Sequence, residues 1–140
     1  YNQEGNNPAA EKLFREVVAA NPDFHEASYS LGLLLAENKD YEGAAVYLAR
    51  AAKGMHERAR VHYNLGLLLQ YLDRTEEAEA SLQRAVRLEP GNLDFLYALA
   101  DFYIKLNRWT DSEDIAEQMV KMHPEAKIGH DLLNYIHSNQ

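Results

Sequence analysis

Three histidines near the end of the chain, His123, His130 and His137, stand seven residues apart, so His130 and His137 share one side of a helix. Imidazoles are common metal ligands, but a seven-residue step along a helix rises about 10 Å, too far for one coordination shell. These histidines are therefore expected to dress a terminal helix rather than to hold a metal. The acidic pairs Glu76/Glu77 and Glu113/Asp114 fit solvated helix starts, where carboxylates meet the positive end of the helix dipole. The chain has no cysteine, which removes thiolate zinc sites, disulfides and cysteine nucleophiles. It also lacks a Gly-rich phosphate loop, a nucleophile elbow and an HExxH motif. A protein without enzymatic chemistry, metal or cofactor is expected.

Charge narrows the partners. With 14 basic and 22 acidic residues the net charge is −8. Phosphate binding needs clustered Lys and Arg, so nucleic acid and anionic membranes are poor partners. No apolar run approaches the roughly 20 residues that span a bilayer, so membrane insertion is not expected. The chain begins at Tyr1 rather than Met, which leaves room for a leader or an upstream region.

The elements that carry these residues repeat. Tyr29-Ser30-Leu31-Gly32-Leu33-Leu34-Leu35 returns 34 residues later as Tyr63-Asn64-Leu65-Gly66-Leu67-Leu68-Leu69, and a further 34 residues lead to Tyr97-Ala98-Leu99-Ala100. A fixed period of this size marks a stack of supersecondary units. Apolar residues at helical spacing, broken by polar turns and Pro, predict helices over about 8–20, 25–37, 41–53, 57–72, 75–88, 92–106, 110–122 and 125–137. Asn7 is placed to cap the first helix and Gly54 to end the third. No strand pattern and no domain linker appear. Short connections make neighbouring helices antiparallel.

These residues resemble the tetratricopeptide repeat family. The resemblance covers nearly the whole chain. Repeat 25–58 carries Leu31, Gly32, Leu35, Tyr41, Ala44, Leu48 and Ala51. Repeat 59–92 carries Leu65, Gly66, Leu69, Ala78, Leu82, Ala85 and Pro90. Repeat 93–126 carries Leu99, Ala100, Tyr103, Trp109, Ala116, Met119 and Pro124. Residues 5–24 match the second half of a repeat through Ala10, Phe14, Val17 and Pro22, and the terminal helix over 127–140 matches a first half through Leu133. The pattern departs where Ser28, His62 and Leu96 replace the large opening aromatic, at His56 in place of the closing Pro, and at Ser112 and Met119. The resemblance implies an all-α fold: one right-handed superhelical solenoid over 1–140, with three full repeats and a half repeat at each end. Helix-interior Gly costs about 1 kcal/mol against Ala. Gly32 and Gly66 are expected where the partner helix comes close, opposite Ala44/Ala51 and Ala78/Ala85.

In this family the first helix of each repeat lines a concave groove at its second, fifth, ninth, twelfth and thirteenth positions. Those positions hold Glu26, Tyr29, Leu33, Ala36 and Glu37, then Arg60, Tyr63, Leu67, Gln70 and Tyr71, then Asp94, Tyr97, Asp101, Ile104 and Lys105. In the last helix they include Ile128, Asp131 and Tyr135. Asn64 adjoins this set. The ladder Tyr29, Tyr63, Tyr97 suits peptide binding, with an apolar ring and a polar tip on each residue. The family's clamp for acidic C-terminal peptides uses Lys, Asn, Asn, Lys and Arg at positions that here hold Tyr29, Leu33, Asn64, Asp94 and Ala98. Only Asn64 matches, so that mode is not expected.

The expected function is a protein-interaction scaffold holding a peptide or helix of a partner. Two alternatives stand beside it, an accessory domain of a longer enzyme or carrier and a subunit that joins end to end. In the latter, Ala10, Leu13, Phe14 and Val17 form an open first face that the last helix of another copy, around Asn134 and His137, would complete as an oligomer or filament.

Overall fold

The computed structural model describes residues 8–140. Among these residues all regular structure is helical: α1 (Pro8–Ala20), α2 (His25–Glu37), α3 (Tyr41–Gly54), α4 (Ala59–Tyr71), α5 (Thr75–Leu88), α6 (Leu93–Lys105), α7 (Trp109–Met122) and α8 (Lys127–Asn139). The expected cap Asn7 lies outside the described residues. Helices α2/α3, α4/α5 and α6/α7 pack as antiparallel pairs, while α1 leans on α2 and α8 on α7. The result is the all-α solenoid anticipated from the period.

The small residues act as expected, with a different counterpart. A Cβ built on Gly32 would lie 2.8 Å from the Leu48 side chain and 3.1 Å from its backbone nitrogen, and Gly66 meets Leu82 at 2.8 and 3.2 Å. The residue opposite each glycine is thus the leucine between the two alanines, not the alanines themselves. In the third pair the volumes are exchanged. Ala100 replaces the glycine and Ala116 replaces the leucine, and both are fully buried. One methyl is added on one helix where a larger side chain is removed from the other, the kind of swap that close-packed interiors tolerate.

Gly54 lies within α3 instead of just after it. It is the last helical residue, and the cap is Met55, whose N–H donates to the Ala51 carbonyl at 2.7 Å. A side chain at position 54 would collide with the His25 ring, so this glycine serves the close approach of α3 to the start of α2. Three first-to-second-helix turns each contain one residue in the left-handed region: Lys39 (φ 70°), Asp73 (φ 61°) and Asn107 (φ 59°), again 34 residues apart. The residue after each one opens the next helix in its own way. Asp40 accepts the Gly43 N–H at 3.1 Å, whereas Arg74 pairs with Glu77 at 2.8 Å and Arg108 with Asp111 at 2.9 Å.

Polar ties also repeat. Arg84 donates to the His56 carbonyl at 3.2 Å, and Gln118, at the equivalent position, donates to the Pro90 carbonyl at 3.3 Å. The His62 and His130 rings each bond a carbonyl six residues earlier, at 2.9 Å. A denser cluster joins α5 to α6 and α7. Arg108 grips Glu79 with two hydrogen bonds, at 2.8 and 3.1 Å, and the Tyr103 hydroxyl donates to Glu79 at 2.9 Å.

Candidate partner-binding face

Helix geometry decides which groove positions meet. Residues Leu93, Asp94, Tyr97, Ala98 and Asp101 fall on one side of α6, since i, i+1, i+4, i+5 and i+8 share a face. Opposite them α4 presents Tyr63 and Leu67, and α8 contributes Ile128. Together these eight residues line a cleft of about 260 Å³. A second hollow of about 440 Å³ lies further along the same helices, lined by Leu67, Gln70, Tyr71, Asp73, Thr75, Phe102, Lys105 and Leu106. Leu67 borders both.

The expected residues therefore divide. Tyr63, Leu67, Tyr97 and Asp101 come together in the first cleft, and Leu67, Tyr71 and Lys105 in the second. Tyr29, Leu33, Arg60, Asn64 and Tyr135 line neither. Asn64 donates to the Tyr29 hydroxyl at 2.6 Å, so this tyrosine spans α2 and α4 rather than standing free. Arg60 lies over the rings of Tyr63 and Phe95, 5.5 and 5.2 Å from their centroids, and those two rings pack 4.7 Å apart. Tyr135 packs on Trp109 at 6.3 Å. The period placed three tyrosines in register without giving them one role: Tyr29 braces, Tyr63 is half-buried against Phe95, and Tyr97 remains 40% exposed. Sequence reasoning missed Leu93, Ala98, Phe102 and Leu106. Leu93 and Ala98 were reachable by extending the face of Tyr97 by one turn and one residue.

The charged residues lining the first cleft are Asp94 and Asp101. Lys105 is drawn onto Asp101 at 2.9 Å. Asp94 makes no ion pair among the described residues.

The candidate residues at the two ends behave differently from one another. Phe14 and Val17 are half-buried and pack against the core, whereas Leu13 is 59% exposed. Asn134 is exposed. The His137 ring bonds Glu113 at 2.8 Å and Gln140 donates to the same carboxylate at 3.4 Å. Glu113 is thus held by the end of α8, a correction to its expected place among free helix-start acids, and the His137 contact holds its carboxyl below the usual range. His123 bonds the Gly91 carbonyl at 2.6 Å. The three histidines of the 123–137 series are directed to three separate partners.

An all-α solenoid of short antiparallel helix pairs, with a cleft lined from α4, α6 and α8, defines a repeat-built class of protein. Two family models described as Tetratricopeptide repeat match residues 3–59 and 69–134. The chain belongs to the tetratricopeptide repeat family. It is similar to the TPR repeat-containing protein YpiA of Bacillus subtilis (strain 168), with 23% identity over 118 residues, 84% of this chain. The chain spans 28% of the length of that relative. Its fold matches a crystal structure of MamA with a TM-score of 0.84 at 19% identity, covering 99% of this chain and 85% of that one. A tetratricopeptide repeat protein from Parabacteroides merdae ATCC 43184 matches with a TM-score of 0.80 at 18% identity, over 92% of this chain and 53% of that one.

Proposed function

We propose that this chain is a non-enzymatic scaffold whose concave side, formed by α4, α6 and α8, holds a peptide or helix of a partner protein. The observation that carries this reading is the 260 Å³ cleft, in which Tyr63, Tyr97, Leu67 and Ile128 from three helices converge. Partly exposed aromatic rings in a preformed hollow supply contact area at small conformational cost. The test is selection of a random dodecapeptide display library on the folded chain. Selected clones should lose affinity about tenfold or more for Tyr63→Ala/Tyr97→Ala, with the variant's helical circular dichroism unchanged. Clones indifferent to that double substitution would move binding away from this face.

A second reading, self-association, is favoured by α1. Ala10, Phe14 and Val17 are partly exposed, although their counterparts Ala44, Leu48 and Ala51 are at most 1% exposed. Helix α8 is a poor completion for that face. Asn134 stands at the register position of Gly32 and Gly66, where even a Cβ crowds the facing leucine. Association through α1 of two copies escapes this clash. Light scattering at increasing concentration tests it, and a mass that stays at one chain for wild type and Phe14→Asp alike would end it.

A further inference from the structure

The face proposed above has a sign. Two charged residues line the 260 Å³ cleft, Asp94 and Asp101, and both are acids. They stand seven residues apart on α6, about 10 Å along its axis, with Tyr97 and Ala98 between them. Asp94 has no cationic partner among the described residues. Among the described residues Asp101 is paired with Lys105 alone, one turn away on the same helix, whose side chain is 64% exposed. The cation at the edge, Arg60, is stacked over the Tyr63 and Phe95 rings and does not line the cleft. Following the repeat register into α8, the position of Tyr29, Tyr63 and Tyr97 is occupied by Asp131, which is exposed. An apolar floor of Tyr63, Leu67, Tyr97 and Ile128 is thus framed by carboxylates, one of which holds a cation borrowed from its own helix.

Resting on the scaffold reading, we infer that the occupant is a basic amphipathic segment: an apolar side chain seated against Tyr63 and Tyr97, with a Lys or Arg beside it on Asp94 and a second able to displace Lys105 from Asp101. Charge complementarity carries the choice. An acidic or neutral segment would cover the exposed Asp94 without giving it a counter-ion, which penalises the wrong partner more than it weakens the right one. The Asp101–Lys105 pair is exposed on the lysine side, and such pairs contribute little, so exchanging it costs little. The unusual consequence is that removing a positive charge from the protein near its groove should strengthen binding.

The test uses the dodecapeptide clones selected on the folded chain. The enriched pool should carry excess Lys and Arg next to an aromatic or aliphatic residue. Affinity should fall about threefold to tenfold for Asp94→Asn, rise severalfold for Lys105→Met, and fade with added salt. Glu16→Gln, on the outer side of α1, changes net charge by the same amount as Asp94→Asn and should leave affinity unchanged. Equal effects of Glu16→Gln and Asp94→Asn would overturn the proposal, because attraction would then come from net charge alone. A neutral or acidic pool, or loss of affinity for Lys105→Met, would overturn it too. If Tyr63→Ala/Tyr97→Ala abolishes binding while the charge variants do nothing, the groove stands and its proposed preference falls. If the tyrosine variant is silent, the groove itself falls.

Discussion

Phe14, Leu48 and Leu82 occupy one register position in α1, α3 and α5, yet they live in different surroundings. Leu48 and Leu82 are 1% exposed, each capped by a glycine on the facing helix, while Phe14 is half-open because no described helix lies over it. The repeat makes the residues alike, and the neighbour makes them core. In a stack, burial at each position is supplied by adjacent elements, so stability is a property of pairs of helices and their interfaces. The largest effect should follow this contrast. Leu48→Ala or Leu82→Ala should cost about 2–5 kcal/mol, since the closed interior cannot collapse fully around the space left. Phe14→Ala removes more atoms but should cost on the order of 1 kcal/mol, because much of the ring already meets water. Chemical denaturation of the three variants measures this, and equal losses would mean that the α1 face is covered in solution.

A smaller effect sharpens the same comparison through the glycines. Gly66→Ala gains about 1 kcal/mol of helix propensity but forces a Cβ to within 2.8 Å of Leu82. Overpacking of that kind costs about 1–3 kcal/mol, so the single variant should be destabilised by on the order of 1 kcal/mol. In a Leu82→Ala background the 2.8 Å side-chain clash is removed and only the 3.2 Å approach to the backbone nitrogen of residue 82 remains, so the alanine should no longer destabilise, as in the Ala100/Ala116 arrangement of the third pair. A double-mutant cycle reads the coupling. On α8, exposed Asn134 faces no described helix, and Asn134→Ala should stay within about 0.5 kcal/mol of wild type. Additivity at Gly66 and Leu82 would show that the two helices relax apart.

The polar ties discriminate between interior and ends by pH. The hydrogen bonds from Arg108 hold the Glu79 carboxyl below the usual range against the opposing pull of desolvation. A carboxylate with a depressed folded pKa contributes stability that is complete above its unfolded value and is lost as the pH falls through its folded value. Wild type should therefore lose thermal stability on acidification through and below the ordinary glutamate range, and Glu79→Gln, already lacking the charge, should lose less over that interval. The same titration on Glu113→Gln tests the exposed His137 contact at the end of α8, where the difference should be smaller. Parallel acid profiles for wild type and Glu79→Gln would remove this cluster from the stability account.

Most of the architecture was legible because the spacing of small and large residues serves a single packing. Leu31-Gly32 and Leu65-Gly66 marked where a partner helix comes close, although the facing residues are Leu48 and Leu82 and not the expected alanines. Helix ends were less legible. Gly54 looks like a terminator in sequence, but its use is a contact with His25 across the pair, which no local rule contains. The groove was half legible. Register put Tyr29, Tyr63 and Tyr97 in one column, whereas their environments depend on non-local neighbours: Asn64 for Tyr29, and Phe95 for Tyr63. The acid frame of the cleft required knowing that Asp94 and Asp101 on α6 and Ile128 on α8, the first helix of the following unit, line one cleft.

The smallest expected effect compares the three turns. Lys39, Asp73 and Asn107 each hold a left-handed backbone at the same register position. For an L-residue that conformation costs about 1–2 kcal/mol, because Cβ crowds the following carbonyl, and Asn or Asp offsets part of it by local hydrogen bonding. Lysine has no such compensation, so the turn between α2 and α3 carries strain that the other two partly avoid. The turn persists because its backbone is tied on both sides: the Lys39 N–H donates to Ala36 at 3.0 Å and the Asp40 N–H to Leu35 at 2.8 Å. Lys39→Asn should therefore stabilise the chain by roughly 0.5 kcal/mol, keeping those bonds while relieving the strain. Asp73→Lys should destabilise by a similar amount, and Asn107→Asp should be close to neutral. Glycine at 39 is a poorer probe, since it also enlarges the unfolded ensemble. The measurement is the urea midpoint at constant slope, which isolates stability from any change in surface exposed. If Lys39→Asn and Asp73→Lys shift the midpoint in the same direction, the three turns are not equivalent in solution, and the period of 34 would hold for the helices without holding for the connections between them.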